Sequence, residues 1–261
     1  MSAQLEREAA AAVWRAKRLW ALHVGGNLLL AALAYGWLAI PDARLWQVAA
    51  SLLFGAALAL AFLWLQGSTF EFFAQTHAGG SAGASVRAAF RATLRRLPAL
   101  VVWALLFGLV LWVLDWTGGW VRYAADWLGS LLTMTLRTPV SPQSVAGVLN
   151  TVLWVLAWVW APLRLLPLAV EASTNGFGGF GGARRAVAQR VFRRGRYWLA
   201  YVALLALGTW LPTVLIDWIP EVESLWAQAT SLLLRFLAAY LLLVTAWLLL
   251  ASLLARLRAS E

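Results

Sequence analysis

Arg235 stands nine residues into the apolar run 226–254, and Arg164 stands in another apolar run between Pro162 and Pro167. An ionisable group held inside lipid costs ~2.5–3.5 kcal/mol on insertion scales, so such residues mark ion pathways, proton relays or ligand contacts. At the helical rise Arg235 lies roughly 14 Å from the start of its run. A partner is expected at that depth, and Asp217, Asp115, Tyr35 and Tyr240 are the candidates. Arg164 lies two turns before Glu171 on the same run, and its reading is a cation that snorkels toward the basic end. His23 and Asn27, at i and i+4, bracket Gly25 and Gly26; this spacing predicts an interhelical hydrogen bond at a close crossing rather than a proton relay. Glu71 and Glu171 each follow an apolar run, and Asp115 and Asp217 each end one.

Motifs for covalent, hydrolytic or metal chemistry are missing. The glycines around Gly178 are not followed by the Gly-Lys-Ser/Thr of a phosphate-binding loop, and there is no His-Glu-x-x-His or Gly-x-Ser-x-Gly sequence. Two isolated histidines cannot build a triad, and a chain without cysteine has no thiolate ligand, disulfide or cysteine nucleophile. The expectation is a non-enzymatic protein with no cofactor and no metal.

The elements that must position these residues follow from composition. With 62% hydrophobic and 12% charged residues over 261 positions, lipid is the solvent for most of the chain. A crossing takes about 20 apolar helical residues, and helices satisfy their own backbone polar groups in hydrocarbon. Six such runs occupy 19–40, 45–66, 98–116, 148–170, 197–217 and 226–254. The fold class is therefore all-α, a polytopic integral membrane protein built as one transmembrane domain over 1–261. Only Pro41 to Arg44 separate the first two runs, which predicts a tight antiparallel hairpin.

Of the 21 basic residues, 20 are arginine, and they mark one side of the membrane. Sixteen fall in four segments that six spans would place together: the N-terminal stretch, the loops after spans two and four, and the tail. The opposite gaps hold only Arg44, Arg122 and Arg137, beside acids that include Asp126, Glu221 and Glu223. Cytoplasmic loops carry the Lys/Arg excess, so both termini are expected in the cytoplasm of a bacterial cell, with the chain in its inner membrane. That pattern accounts for a sequence pI near 11.3 without invoking nucleic acid. A cleavable leader is disfavoured because the first run is too long and lacks a small-x-small exit before Pro41. Single cysteines at Arg44, Ser130 and Ser173 are the natural topology probes.

Amphipathic segments flank the spans. Residues 1–18 read as an interfacial helix. In 83–97, Val86, Phe90, Thr93, Leu94 and Leu97 oppose Arg87, Arg91 and Arg95; in 182–196, Val187, Ala188, Val191 and Phe192 oppose Arg185, Gln189, Arg193 and Arg196. With Arg194, these arginines are candidate contacts for anionic lipid phosphates, each juxtamembrane charge contributing about 1 kcal/mol. A third segment, 118–137, sets an apolar face of Trp120, Ala124, Trp127, Leu128, Leu131 and Leu132 against Arg122, Asp126, Ser130, Thr133 and Arg137. It reads as an interfacial anchor, or as a lid, ended by Pro139 and Pro142.

The two basic elbows belong to an internal repeat. Glu71 or Glu171 follows a span, then come small residues (79–83 or 178–182), the basic segment ending in Arg95-Arg96 or Arg193-Arg194, and a span ending in Asp115-Trp116 or Asp217-Trp218. An even number of spans separates the copies, so they share one orientation, as in transporters with parallel repeats.

The stretch 167–210, PLAVEASTNGFGGFGGARRAVAQRVFRRGRYWLAYVALLALGTW, resembles the YciC-like bacterial inner-membrane proteins. It is also similar to the membrane domain found ahead of some glycerophosphodiester phosphodiesterases, and the pattern covers 67–116 and 167–218. The resemblance implies a six-helix bundle with interfacial elbows; it carries over no phosphodiesterase chemistry, because that soluble domain is not in this sequence. The functional expectation is transport or lipid handling, with an accessory subunit or scaffold as the alternative. The expected partners are anionic membrane lipids, and a membrane-protein partner or a second copy of the chain.

Overall fold

The structure is a computed structural model, and it describes residues 2–41, 43–79, 84–219 and 224–260. The described residues are almost all helical, and none of them is in a strand. The helices are α1 (Ser2–Arg15), α2 (Lys17–Leu38), α3 (Leu45–Ala78), α4 (Val86–Gly118), α5 (Val121–Leu136), α6 (Pro142–Val155), α7 (Ala161–Asn175), α8 (Gly182–Arg193), α9 (Gly195–Leu205), α10 (Leu211–Asp217) and α11 (Leu225–Ala259). π turns at Leu156–Trp160 and Ala206–Trp210 join α6 to α7 and α9 to α10, and a 3₁₀ turn at Gly176–Phe180 follows α7. Six helical stretches are long and apolar enough to cross a membrane, each overlapping one predicted run.

Local chemistry sets the breaks. Each π turn is followed by Xaa-Pro, Ala161-Pro162 or Leu211-Pro212. Proline has no N–H to donate four residues back and its ring clashes with that carbonyl, and the wider turn accommodates both. Arg137 ends α5 in the left-handed region at φ 55°, and Pro142 occupies the first turn of α6. The first elbow is not a separate helix: Val86 to Leu97 runs straight into the third span as part of α4, through Pro98. The second elbow is separate, because Arg194 takes an extended conformation between α8 and α9.

The chain divides into two compact units, Met1–Val101 with Pro167–Glu261, and Val102–Leu166. In the first unit α11 packs on α3, α1, α10 and the second π turn, and α2 packs on α3. Close crossings rely on glycine: a Cβ on Gly67 would collide with Leu100 and Thr93, and one on Gly208 would lie 3.0 Å from Ala246. Burial is concentrated at the arginine-rich ends of these helices. It begins at Leu65 in α3 and at Ala239 in α11, and in α2 it stops at His23. Helix α1 is docked rather than merely interfacial, with Ala9 and Val13 buried.

In the second unit α5 packs on α6. Its inward face is Val121, Ala125 and Gly129, the last 3.4 Å from Pro142 if given a Cβ. The predicted apolar face points elsewhere, with Trp120, Trp127 and Leu131 exposed. Trp103 Nε1 donates to the Leu165 carbonyl at 2.9 Å.

Candidate functional site

Both glutamates of the repeat are buried, Glu71 at 7% and Glu171 at 1% relative exposure, and both are built the same way. One oxygen accepts an arginine N–H; the other accepts from an amide one turn later on the same helix. For Glu71 the donors are Arg96 Nη1 at 2.7 Å and Gln75 Nε2 at 2.8 Å. For Glu171 they are Arg258 Nε at 2.6 Å and Asn175 Nδ2 at 2.6 Å. Burying a carboxylate costs several kcal/mol in desolvation, and the pairing of both oxygens offsets part of that cost. Arg96 also donates to the Ser173 carbonyl at 3.1 Å, tying the first copy's elbow to the end of α7.

Glycine makes room at this point. A Cβ on Gly179 would stand 2.5 Å from the carbonyl carbon and oxygen of Glu171, so only glycine lets the 3₁₀ turn fold back onto α7. Gly176, at φ +59°, reverses the chain beside the Arg96 side chain.

The tail and α1 close the same end. Arg256 Nη2 pairs with Glu8 Oε2 at 2.5 Å, and the Ser252 hydroxyl donates to the Ala9 carbonyl at 2.9 Å. That hydroxyl has spent its hydrogen, so in its 3.1 Å contact with His77 it accepts from Nε2–H. The same logic fixes His23. Thr69 gives its hydrogen to the Leu65 carbonyl at 2.9 Å and accepts from His23 Nε2–H at 2.6 Å, which leaves the buried Nδ1 a bare acceptor. Tyr240 reaches across to the His23 and Val24 carbonyls at 3.2 and 2.7 Å, and Asn27 meets that hydroxyl by a side-chain hydrogen bond. His23 and Asn27 thus make the interhelical hydrogen bonds their spacing implied, but not at a close crossing: a Cβ on Gly25 would meet nothing within 4 Å, and one on Gly26 would stand at ordinary contact, 3.5 Å from Leu65.

At the opposite end Arg235 resolves the choice among its candidate partners differently from each of them. Its Nη1 donates to the Ile216 carbonyl at 2.9 Å and to the Trp218 carbonyl, and Nε donates to the Ser231 carbonyl at 3.3 Å. The guanidinium caps the C-terminal end of α10, where the helix dipole favours a cation. It reaches Trp218 because its stem runs along α11 toward the helix start, so the charge is shallower than the Cα. An open groove runs beside it, lined by Leu215, Trp218, Trp226, Thr230 and Leu234 among others. Asp217 and Asp115 are exposed, and Arg164 is half-buried on α7 of the second unit.

Arg87, Arg91, Arg95, Arg185, Arg193 and Arg196 are exposed. Arg194 turns instead to Ser260, 3.0 Å from its hydroxyl. Ser173 is fully buried, which rules it out as an aqueous labelling position; Ala183, exposed on α8, serves that purpose. Residues missed in the sequence are Arg96, Arg256 and Arg258, counted there as loop or tail charge, and Glu8, counted there as part of the N-terminal interfacial helix. Gln75 and Asn175, each four residues after its glutamate, were a readable signal. No protein-family model, no curated protein and no solved structure matches this chain.

Proposed function

We propose that the chain is a non-enzymatic lipid-handling or transport protein of a bacterial inner membrane, with its arginine-rich ends and both termini cytoplasmic. The carrying observation is the uneven packing of the first unit. Ion pairs hold its helices together at the arginine-rich end, whereas residues 45–64 of α3 and 225–238 of α11 contain no buried residue. A body fixed at one leaflet and exposing apolar helix flanks to the other is suited to admitting lipid sideways. Glu71 and Glu171 serve as structural anions in this reading, since both oxygens of each are already paired. The YciC-like pattern of 67–116 and 167–218 is consistent with the bacterial location.

Reconstitution into vesicles carrying a fluorescent phospholipid tests the proposal. Dithionite bleaches only the outer leaflet, so protein-dependent bleaching beyond half of the signal is the expected result; vesicles that stop at half, with or without protein, would rule lipid translocation out. The second reading, an accessory subunit, is favoured by the exposed Arg87, Arg91 and Arg95 stripe, a surface for an acidic partner. Purification from native membranes without any stoichiometric companion would count against it.

A further inference from the structure

We propose that the groove between α10 and α11 holds one anionic phospholipid, Arg235 taking its phosphate and the flanking apolar side chains an acyl chain. The inference rests on the lipid-handling reading and names the ligand class for one site within it. Three observations carry it. The groove is open along its side, and Leu215, Trp218, Trp226 and Leu234 give it apolar walls. Arg235 brings a full positive charge into it, and no carboxylate among the described residues forms an ion pair with that charge. Its Nη1 and Nε are held by three carbonyls, while Nη2 makes no hydrogen bond among the described residues. The guanidinium is therefore fixed in place with donors to spare, a preorganised half of a charge-assisted contact to a phosphate.

The level of the charge selects the lipid. Trp218 and Trp226 are 61% and 82% exposed at the mouth of the groove, and tryptophans so placed mark the interface where phosphate and glycerol lie. Below them, toward Ala238, the walls lie where acyl chains run. An inorganic phosphate ion would use the arginine and leave the apolar walls without a role; a phospholipid uses both.

The absence of native cysteine permits a direct test. Thr230, exposed on the groove wall, is replaced by cysteine and labelled with bimane in the detergent-solubilised full chain. Short-chain brominated phosphatidylglycerol is then titrated against brominated diacylglycerol of equal chain length, which lacks the phosphate. Saturable quenching by the phospholipid is expected at a concentration about fivefold lower, the factor one basic group contributes near an anionic headgroup. Arg235→Gln should erase that difference. Because this substitution also removes the cap of α10, Ala227→Trp provides the second arm: it fills the groove with Arg235 in place and should weaken quenching by both lipids. Equal midpoints for the two lipids, an unchanged difference in Arg235→Gln, full quenching in Ala227→Trp, or displacement by inorganic phosphate would each overturn the site. Binding without translocation would retain the site and discard the lipid-translocating function; translocation without this binding would do the reverse.

Discussion

Residues 67–116 and 167–218 spell the same order of glutamate, small residues, arginines and Asp-Trp, yet their backbones differ. In the first copy α3 and α4 run as unbroken α-helices. In the second, the chain takes a 3₁₀ turn after α7, breaks at Arg194 and widens into a π turn before Pro212. One residue accounts for much of the break. Leu97 stands after Arg95-Arg96, whereas Gly195 stands after Arg193-Arg194, and glycine carries a helix-propensity penalty of ~1 kcal/mol. The buried chemistry is nonetheless the same in both. Each glutamate keeps an amide at i+4 and an arginine, but the first draws its arginine from 25 residues on and the second from 87 residues on, in the tail. A repeated carboxylate therefore fixes the need for a cation without fixing which element supplies it.

The sharpest way to break this comparison is to neutralise each glutamate in turn. Glu171→Gln leaves Arg258 facing a buried neutral group and should cost about 3–5 kcal/mol, read as loss of thermal stability in detergent. Glu71→Gln should cost less, about 1.5–3 kcal/mol, because the Arg96 side chain is 32% exposed and water can replace the carboxylate. If Glu71→Gln proves the more damaging, the burial ranking of the two pairs is wrong. Gly179→Ala tests the loop of the second copy: its Cβ has no room against Glu171, and the overpacking should cost roughly 1–3 kcal/mol. A crystal or cryo-EM structure of that variant with the 3₁₀ turn unmoved would contradict the close approach. The smallest effect is expected from Gly195→Ala, where a Cβ meets nothing within 4 Å; a gain of about 0.5–1 kcal/mol should appear in the unfolding midpoint if Gly195 only lowers propensity.

What could be read from the sequence divides along the same line. Periodicity and charge located every span, because burial in lipid acts on each segment independently. The faces of the elbows were legible in part: Thr93, Ala188 and Val191 are buried while Arg87, Arg91, Arg95 and Arg185 are exposed, but Leu94 on the predicted apolar stripe is exposed as well. Partners chosen across the fold were not legible. Arg258 follows the positive-inside pattern as well as any tail arginine, and nothing in its neighbours marks it as the cation for Glu171. The depth of Arg235 was misjudged for a different reason: residue counting gives the height of a Cα, whereas an arginine stem carries its charge to the Trp218 carbonyl. In α5, the stripe Val121, Ala125 and Gly129 makes the protein contact because small residues admit α6, while the larger apolar side chains stay outside.

The pairing of Glu171 with Arg258 also sets an order of events during synthesis. At 5–20 residues per second, the 87 residues between them take roughly 4–17 s to synthesise, and for that interval the glutamate exists without its cation. Helix α1 waits longer still, since Glu8 and the Ala9 carbonyl find Arg256 and Ser252 only in α11. Completion of α11 is thus the event that closes the arginine-rich end. A ribosome that stalls before Arg256 would leave α1 without its ion pair and Glu171 without its cation.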